Sequence, residues 1–431
     1  MTPIDRQRWA EPSKRIFGES DLVYFKKSKA YHRLIHLLKS VVEKIKGTPL
    51  PQGILNAELT TRKKSGGNSH LLSSVAANTR RTLVPIPQER TIPVESIQQN
   101  TTRTPHEQKN FDGLLNVIEA LNSLIDETPP LSGPRRFGNL ACRQWHDKVH
   151  GKIQSLFDEN LELPPGLDRN GFFLELNSYF LNSFGSKLRL DYGTGHEFSF
   201  LAFLGGLFEF ELLEFNSLPA VDLLTIFAKY YDLCRRLIID YNLEPAGSRG
   251  VWGLDDHFHL IYILGAAQFN DDKSAPPVQQ VLSSQVINSH KTSNLYVNAI
   301  AFIYRIKSGP FNEHSPIIYD IHTTVSLWAK VLQGLLRMYD VEVLGKFPVV
   351  QHFWFGDVLY PWIDNETKKE LPINIREEKQ DKEEDNEPGL LSGFRGVNTT
   401  RANVSMTGAP WANKQQQQPP PTRLPHIINR K

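Results

Sequence analysis

Between residues 221 and 241, apolar side chains recur at every third and fourth position: Leu223, Leu224, Phe227, Tyr230, Tyr231, Cys234, Leu237 and Ile238. That spacing lays them along one face of an α-helix, whereas a strand would need alternation. Tyr31, Leu34, Ile35, Leu38, Val41, Val42 and Ile45 repeat the pattern, as do Leu114, Leu115, Ile118, Leu121, Leu124 and Ile125 within 111–125. Residues 141–157, 254–269, 297–306 and 324–344 also read as helices, and strand-like alternation is scarce. An all-α fold follows.

The 431 residues, 40% hydrophobic and 10% aromatic, can bury a sizeable core. Lys plus Arg number 49 and Asp plus Glu 47, a net charge of +2 that gives no electrostatic case for nucleic acid or an anionic membrane. A membrane helix needs about 20 apolar residues, and the best run, 198–213, is interrupted by Glu209 and Glu211. The two cysteines, Cys142 and Cys234, suit a reducing compartment better than a disulfide framework. Residues 1–6 lack the apolar stretch of a secretion signal. A soluble intracellular protein, cytoplasmic and also nuclear, is the expectation.

Texture divides the chain. Residues 1–46 form an N-terminal helical part and 111–362 the main helical body. Between them, 47–110 is rich in Pro, Thr, Ser, Asn, Gln and Arg and reads as a flexible insertion. Its basic run Arg62-Lys63-Lys64 suits an acidic partner or an import receptor, although a solvated loop is the plainer reading. Residues 363–431, with the charge run 376–387 and four glutamines at 415–418 before three prolines, read as a disordered tail.

Four segments break the amphipathic pattern. In Arg189-Leu-Asp-Tyr-Gly-Thr-Gly-His-Glu197, glycines flank a Thr before a long apolar run. Backbone N–H groups at such a helix entrance can approach an anion, Thr194 or Asp191 can cap, and Arg189 can pair with phosphate; a plain glycine-rich helix start fits the same residues. No second His follows His196-Glu197 as a zinc-protease signature requires, and no G-x-x-x-x-G-K-[ST] loop is present. In Glu244-Pro-Ala-Gly-Ser-Arg-Gly-Val-Trp-Gly-Leu-Asp-Asp-His-Phe-His259, adjacent acids Asp255 and Asp256 suit either Mg²⁺ with phosphate oxygens or capping of the next helix. His257 and His259 suit a transition metal, or two helical histidines facing apart. In Ser308-Gly-Pro-Phe-Asn-Glu-His-Ser-Pro316, Glu313 and His314 are an acid and base in what reads more simply as a structural turn. Lys346-Phe-Pro-Val-Val-Gln-His-Phe-Trp-Phe-Gly356 reads as buried loop packing.

Together these blocks, with Arg136-Phe-Gly-Asn139, Trp145 and Gln333-Gly-Leu-Leu-Arg-Met-Tyr339, resemble the signature of the phosphotyrosyl phosphatase activator family. The resemblance runs over about 15–46 and 111–360. The extended tail resembles that of fungal members. It implies a helical core, linker and lid around a deep cleft. It also implies activation of a phosphatase 2A catalytic subunit with ATP and Mg²⁺, and peptidyl-prolyl cis–trans isomerase activity on a proline-containing peptide. Carried over by motif, nucleotide contacts fall on Arg189, Thr194, Gly195, Pro348, Val349, Gln351 and His352, and Mg²⁺ contacts on the Gly250 carbonyl and Asp256. Prolyl rotation needs no nucleophile, only a site that binds the twisted amide better than either planar form. Trp252 and Asp255 are the candidate wall of such a site. A non-catalytic helical phosphatase-binding adaptor and a metal hydrolase built on Asp255, Asp256, His257 and His259 are the competing readings.

Overall fold

The computed structural model describes residues 9–61, 105–133, 137–247 and 250–374. Its helices run α1 Leu22–Lys27, α2 Lys29–Ile45, α3 Pro105–Asp126, α4 Ala141–Asn160, α5 Arg169–Leu181, α6 Thr194–Glu209, α7 Ala220–Tyr241 and α8 Leu260–Phe269. They continue as α9 Ser284–His290, α10 Leu295–Ile306, α11 Phe311–His314, α12 Pro316–Thr324, α13 Trp328–Tyr339 and α14 Phe347–Val350. Strands are confined, among the described residues, to a parallel pair, β1 Asp191–Tyr192 and β2 Glu244–Pro245. The fold is all-α, as the periodicity requires. No helix among the described residues is long and apolar enough to cross a membrane.

Amphipathic helices surround two that are buried on nearly every side. The eight periodic residues of α7 are all buried. The helix stops where Asn242 turns left-handed and its N–H bonds the Ile238 carbonyl, an αL cap that a short polar side chain tolerates. By contrast all ten residues of α8 are buried, and so are most of α6. Helices without a polar face sit at the centre of a core. Phe200 of α6 stacks on Tyr230 of α7 with ring centroids 3.7 Å apart. A Cβ at Gly265 would fall 1.9 Å from the Tyr296 backbone nitrogen, so only glycine lets α8 and α10 cross this closely.

Buried polar groups are placed to join elements. The Glu175 carboxylate of α5 accepts the N–H groups of Asp357, Val358 and Leu359 at 2.8–3.0 Å and ties down the C-terminal segment. Arg235 is fully buried, with its guanidinium 5.3 Å from the Phe302 ring and 3.7 Å from Asp232.

Several boundaries differ from those expected. Residues 47–61, assigned to the flexible insertion, are packed: Leu50 and Leu55 are buried, the Leu50 N–H bonds the Ser293 carbonyl at 2.8 Å, and that of Asn56 bonds Asp232 at 2.7 Å. Residues 105–110 belong to α3. Residues 363–374, assigned to the tail, are also held. The Lys29 N–H bonds the Ile363 carbonyl at 2.8 Å, and the Trp362 indole N–H bonds that of Pro372 at 3.1 Å. Leu50, Leu55 and Leu371 are buried, and Asn110 bonds the Glu162 and Leu212 carbonyls at 2.9 Å, contacts that a composition average hides. The rest of the insertion and tail, 62–104 and 375–431, lies outside the described residues. The helix expected over 254–269 begins only at Leu260. The one expected over 324–344 is interrupted by extended Val325 and Leu327, so α13 starts at Trp328 and closes in a π turn over Asp340–Leu344.

Candidate functional site

Before α6 the chain makes a tight reversal. Ser186 and Asp191 form an antiparallel bridge, Leu190 adopts φ 55°, and the Ser186 hydroxyl accepts the Arg189 N–H at 3.1 Å. Asp191 and Tyr192 then pair with Glu244 and Pro245, which brings the first unusual segment beside the second. Gly193 has no room for a side chain: a Cβ there would lie 2.9 Å from that of Ala246. Thr194 opens α6. A Cβ at Gly195 would lie 3.4 Å from the Val349 carbonyl, so the fourth segment covers the same helix entrance. The Thr194 and Gly195 N–H groups have no acceptor among the described residues, as the first turn of a helix leaves them.

The charges around this entrance are mostly positive. Arg189 uses its Nε to bond Asp191 at 2.7 Å, leaving its two terminal nitrogens without a partner among the described residues. Burial raises the Asp191 pKa, but nearby His196 and the bond from Arg189 outweigh it and hold the carboxyl below its usual range. His352 follows α14. Burial, with the charges of Arg189, Lys14 and His196, pushes its ring down to about 4. Gln351 bonds back to the Pro348 carbonyl at 3.3 Å. Arg189, Thr194, Gly195, Val349 and His352 are thus brought together from segments over 150 positions apart.

Lys14 joins them, and nothing in the sequence marks it. Ser13 and Phe355 exchange backbone hydrogen bonds of 3.0 and 2.9 Å. This bridge sets the Lys14 ammonium against the His352 carbonyl and 3.7 Å from the Trp354 ring centroid. Burial, then the neighbouring Arg189, lower its pKa to about 7.

Glu197 was also missed, and its role is structural. One oxygen accepts the N–H groups of His259 and Leu260 at 2.8 Å. The other accepts Ile261 N–H at 2.9 Å and the Tyr231 hydroxyl at 2.8 Å. The carboxylate caps α8 from α6 and sets where α8 starts. Burial pushes its pKa up to about 7 against the pull of these donors.

In the second segment Trp252 is 71% exposed on the turn Gly250–Trp252. Asp255 is not free to donate: its carboxylate accepts the His257 N–H at 2.8 Å, the Phe258 N–H at 3.2 Å and the Tyr262 hydroxyl. Asp256 meets the Lys307 ammonium at 2.8 Å, and Lys307 also reaches the His314 carbonyl at 3.3 Å, linking the third segment to the second. Gly250, at φ 54°, turns its carbonyl to the Gly253 N–H at 3.2 Å. Both residues expected to hold Mg²⁺ are therefore engaged within the chain, and as arranged they do not fit a preformed Mg²⁺ site. His257 and His259 are buried and face different neighbours, Tyr192 and Tyr339 respectively. No cluster of three or more His, Cys, Asp or Glu arranged for a metal occurs among the described residues.

Residues 12–362 match the family described as phosphotyrosyl phosphate activator (PTPA) protein. The chain belongs to this family. It is 55% identical over 420 residues to serine/threonine-protein phosphatase 2A activator 1 of Debaryomyces hansenii, covering 95% of this chain and 94% of that one. The activator 1 of Saccharomyces cerevisiae is 48% identical over 277 residues, covering 64% and 69%. Among solved structures, that of the PP2A phosphatase activator Ypa1 PTPA1 superposes with a TM-score of 0.66 at 38% identity, over 84% of this chain and 98% of that one. All four unusual segments lie inside the family match.

Proposed function

We propose that this chain activates a phosphatase 2A-type catalytic subunit, binding the phosphates of ATP at the entrance of α6. The observation that carries the reading is the uncommitted donor set there: two Arg189 nitrogens and the Thr194 and Gly195 amides, walled by Val349 and His352. A polyphosphate satisfies such donors and the positive end of a 16-residue helix. Asp191 orients Arg189 through Nε, so the guanidinium fork is presented without rotamer search. ATP supplies a multiply charged anion when bound. The chain supplies the cradle, and the phosphatase surface completes the remaining walls. Mg²⁺ is proposed to come with the nucleotide, because Asp256 is already paired with Lys307.

Prolyl isomerase activity is the second part of the proposal. The exposed Trp252 ring offers an apolar face for a proline, and Asp255 holds the turn beneath it rather than donating to the amide. Lowering a barrier of about 20 kcal/mol needs preferential binding of the twisted amide and nothing else from the protein. Turnover of a proline peptide by wild type and Trp252→Ala tests this part separately.

Reactivation of an inactive phosphatase 2A catalytic subunit, with and without ATP and Mg²⁺, tests the main reading. Nucleotide-dependent reactivation that Arg189→Ala loses supports it. Reactivation that ignores nucleotide and tolerates Arg189→Ala favours the adaptor reading.

A further inference from the structure

We propose that Lys14 is a phosphate-binding residue of the nucleotide site, a third cationic contact supplied by the N-terminal segment. The inference rests on the nucleotide reading given above and adds a residue to it. The Lys14 ammonium touches the His352 carbonyl, at the wall assigned to nucleotide, and its stem lies on Trp354. An ammonium has three donors, and a single carbonyl accounts for one. No carboxylate pairs with Lys14 among the described residues. Lys14 faces Arg189 instead, and the two cations disfavour each other. Asp191 already spends one oxygen on Arg189, while its other oxygen is buried, without a hydrogen bond, and 3.9 Å from His196. Two cations that repel each other are relieved by an anion laid between them. The chemistry that fits is the polyphosphate of a nucleotide, which brings several negative charges at once.

A pH signature follows. Arg189 is the charge that acts on Lys14, and Arg189, His196 and Asp191 act together with Lys14 on His352. Without ligand these surroundings make the ammonium easy to deprotonate near neutrality. Bound phosphate favours the charged form, so affinity is greatest below about pH 7 and declines as pH rises. Arginine stays charged throughout this range, so Lys14→Arg removes that decline.

The test is calorimetric titration of ATP with Mg²⁺ into the full chain mixed with phosphatase 2A catalytic subunit, at pH 6.5, 7.5 and 8.5. Wild type, Lys14→Met and Lys14→Arg are compared. We expect Lys14→Met to bind about tenfold more weakly at pH 6.5. Lys14→Arg is expected to bind within about threefold of wild type at pH 6.5, with a flatter pH profile. Titration of the nucleotide itself is common to all three proteins and cancels. Lys14→Met within about twofold of wild type, with parallel pH profiles for all proteins, overturns the inference. If Lys14→Met does not fold, the Lys14→Arg profile decides alone: flatter supports, parallel overturns. Absence of ATP binding by wild type is a different failure, that of the nucleotide reading.

Discussion

Two helix entrances 66 positions apart are finished in opposite ways. At α8 the exposed N–H groups meet Glu197, whose two oxygens receive four donors in a fully buried setting. At α6 the corresponding groups meet no acceptor among the described residues, and Arg189 and Lys14 add positive charge beside them. The first entrance is closed by the chain's own carboxylate; the second is left open, which is where the proposed function puts an anion from outside. Helix N-termini are therefore no guide to function by themselves. What separates a cap from a site is whether the surrounding charge is balanced.

The largest effect that would break this contrast is loss of the internal cap. Glu197→Ala leaves four buried donors without an acceptor and is expected to cost about 3–5 kcal/mol, read by urea unfolding. Glu197→Gln turns an amide NH₂ toward two of those donors and is expected to cost slightly less. A loss under about 0.5 kcal/mol would mean that the cap contributes little.

The next effect is on pH dependence. Burial raises the Glu197 pKa from 4.5 to about 7. A raised carboxyl pKa means that the folded state binds the proton more tightly. Its contribution to stability is complete below about pH 4.5 and is lost as pH rises through 7, by on the order of 2–3 kcal/mol. Unfolding free energy measured from pH 4.5 to 8 should fall more steeply in wild type than in Glu197→Gln. Equal slopes would assign the change to other groups, Asp232 among them, whose pKa burial raises to about 6.

At the open entrance the signs reverse. Arg189→Ala removes a half-exposed side chain whose ion-pair partner among the described residues is Asp191, so stability should change by less than about 1 kcal/mol. Nucleotide affinity should drop by about 10- to 100-fold. A mutant that loses stability but not affinity would exchange the roles assigned to the two entrances. The smallest effect on nucleotide binding is expected from Lys307→Met, which leaves the mostly buried Asp256 without its cation at a cost of about 1–3 kcal/mol. Nucleotide binding should then depend more strongly on Mg²⁺ concentration, by about threefold in half-saturation.

Much of this molecule could be read from its sequence, but unevenly. Helix α7 was legible because one of its faces is buried and the other is not. Helices α6 and α8 carry no such contrast, being buried nearly all round: α6 showed only as an apolar run, and α8 was read as a helix from 254 although it starts at Leu260. The end of α8 that matters is set by Glu197, 62 residues earlier, and no local window holds both partners. The same carboxylate, next to His196, completes no zinc-protease signature and proves to be a cap. Arg189 and Thr194 stood out because glycines and an arginine at a helix start suit an anion, although a plain glycine-rich helix start fits the same residues. Lys14 did not stand out at all: its place depends on a backbone bridge to Phe355, a pairing that no spacing reveals.

The most direct test of the central claim is recovery of phosphatase activity by an inactive phosphatase 2A catalytic subunit after addition of this chain with ATP and Mg²⁺. Wild type should restore activity in a nucleotide-dependent manner, Arg189→Ala should fail while remaining folded, and Glu197→Gln should act in proportion to its folded fraction. Full, nucleotide-independent reactivation by Arg189→Ala would contradict the account and leave the α6 entrance as no more than an uncapped helix.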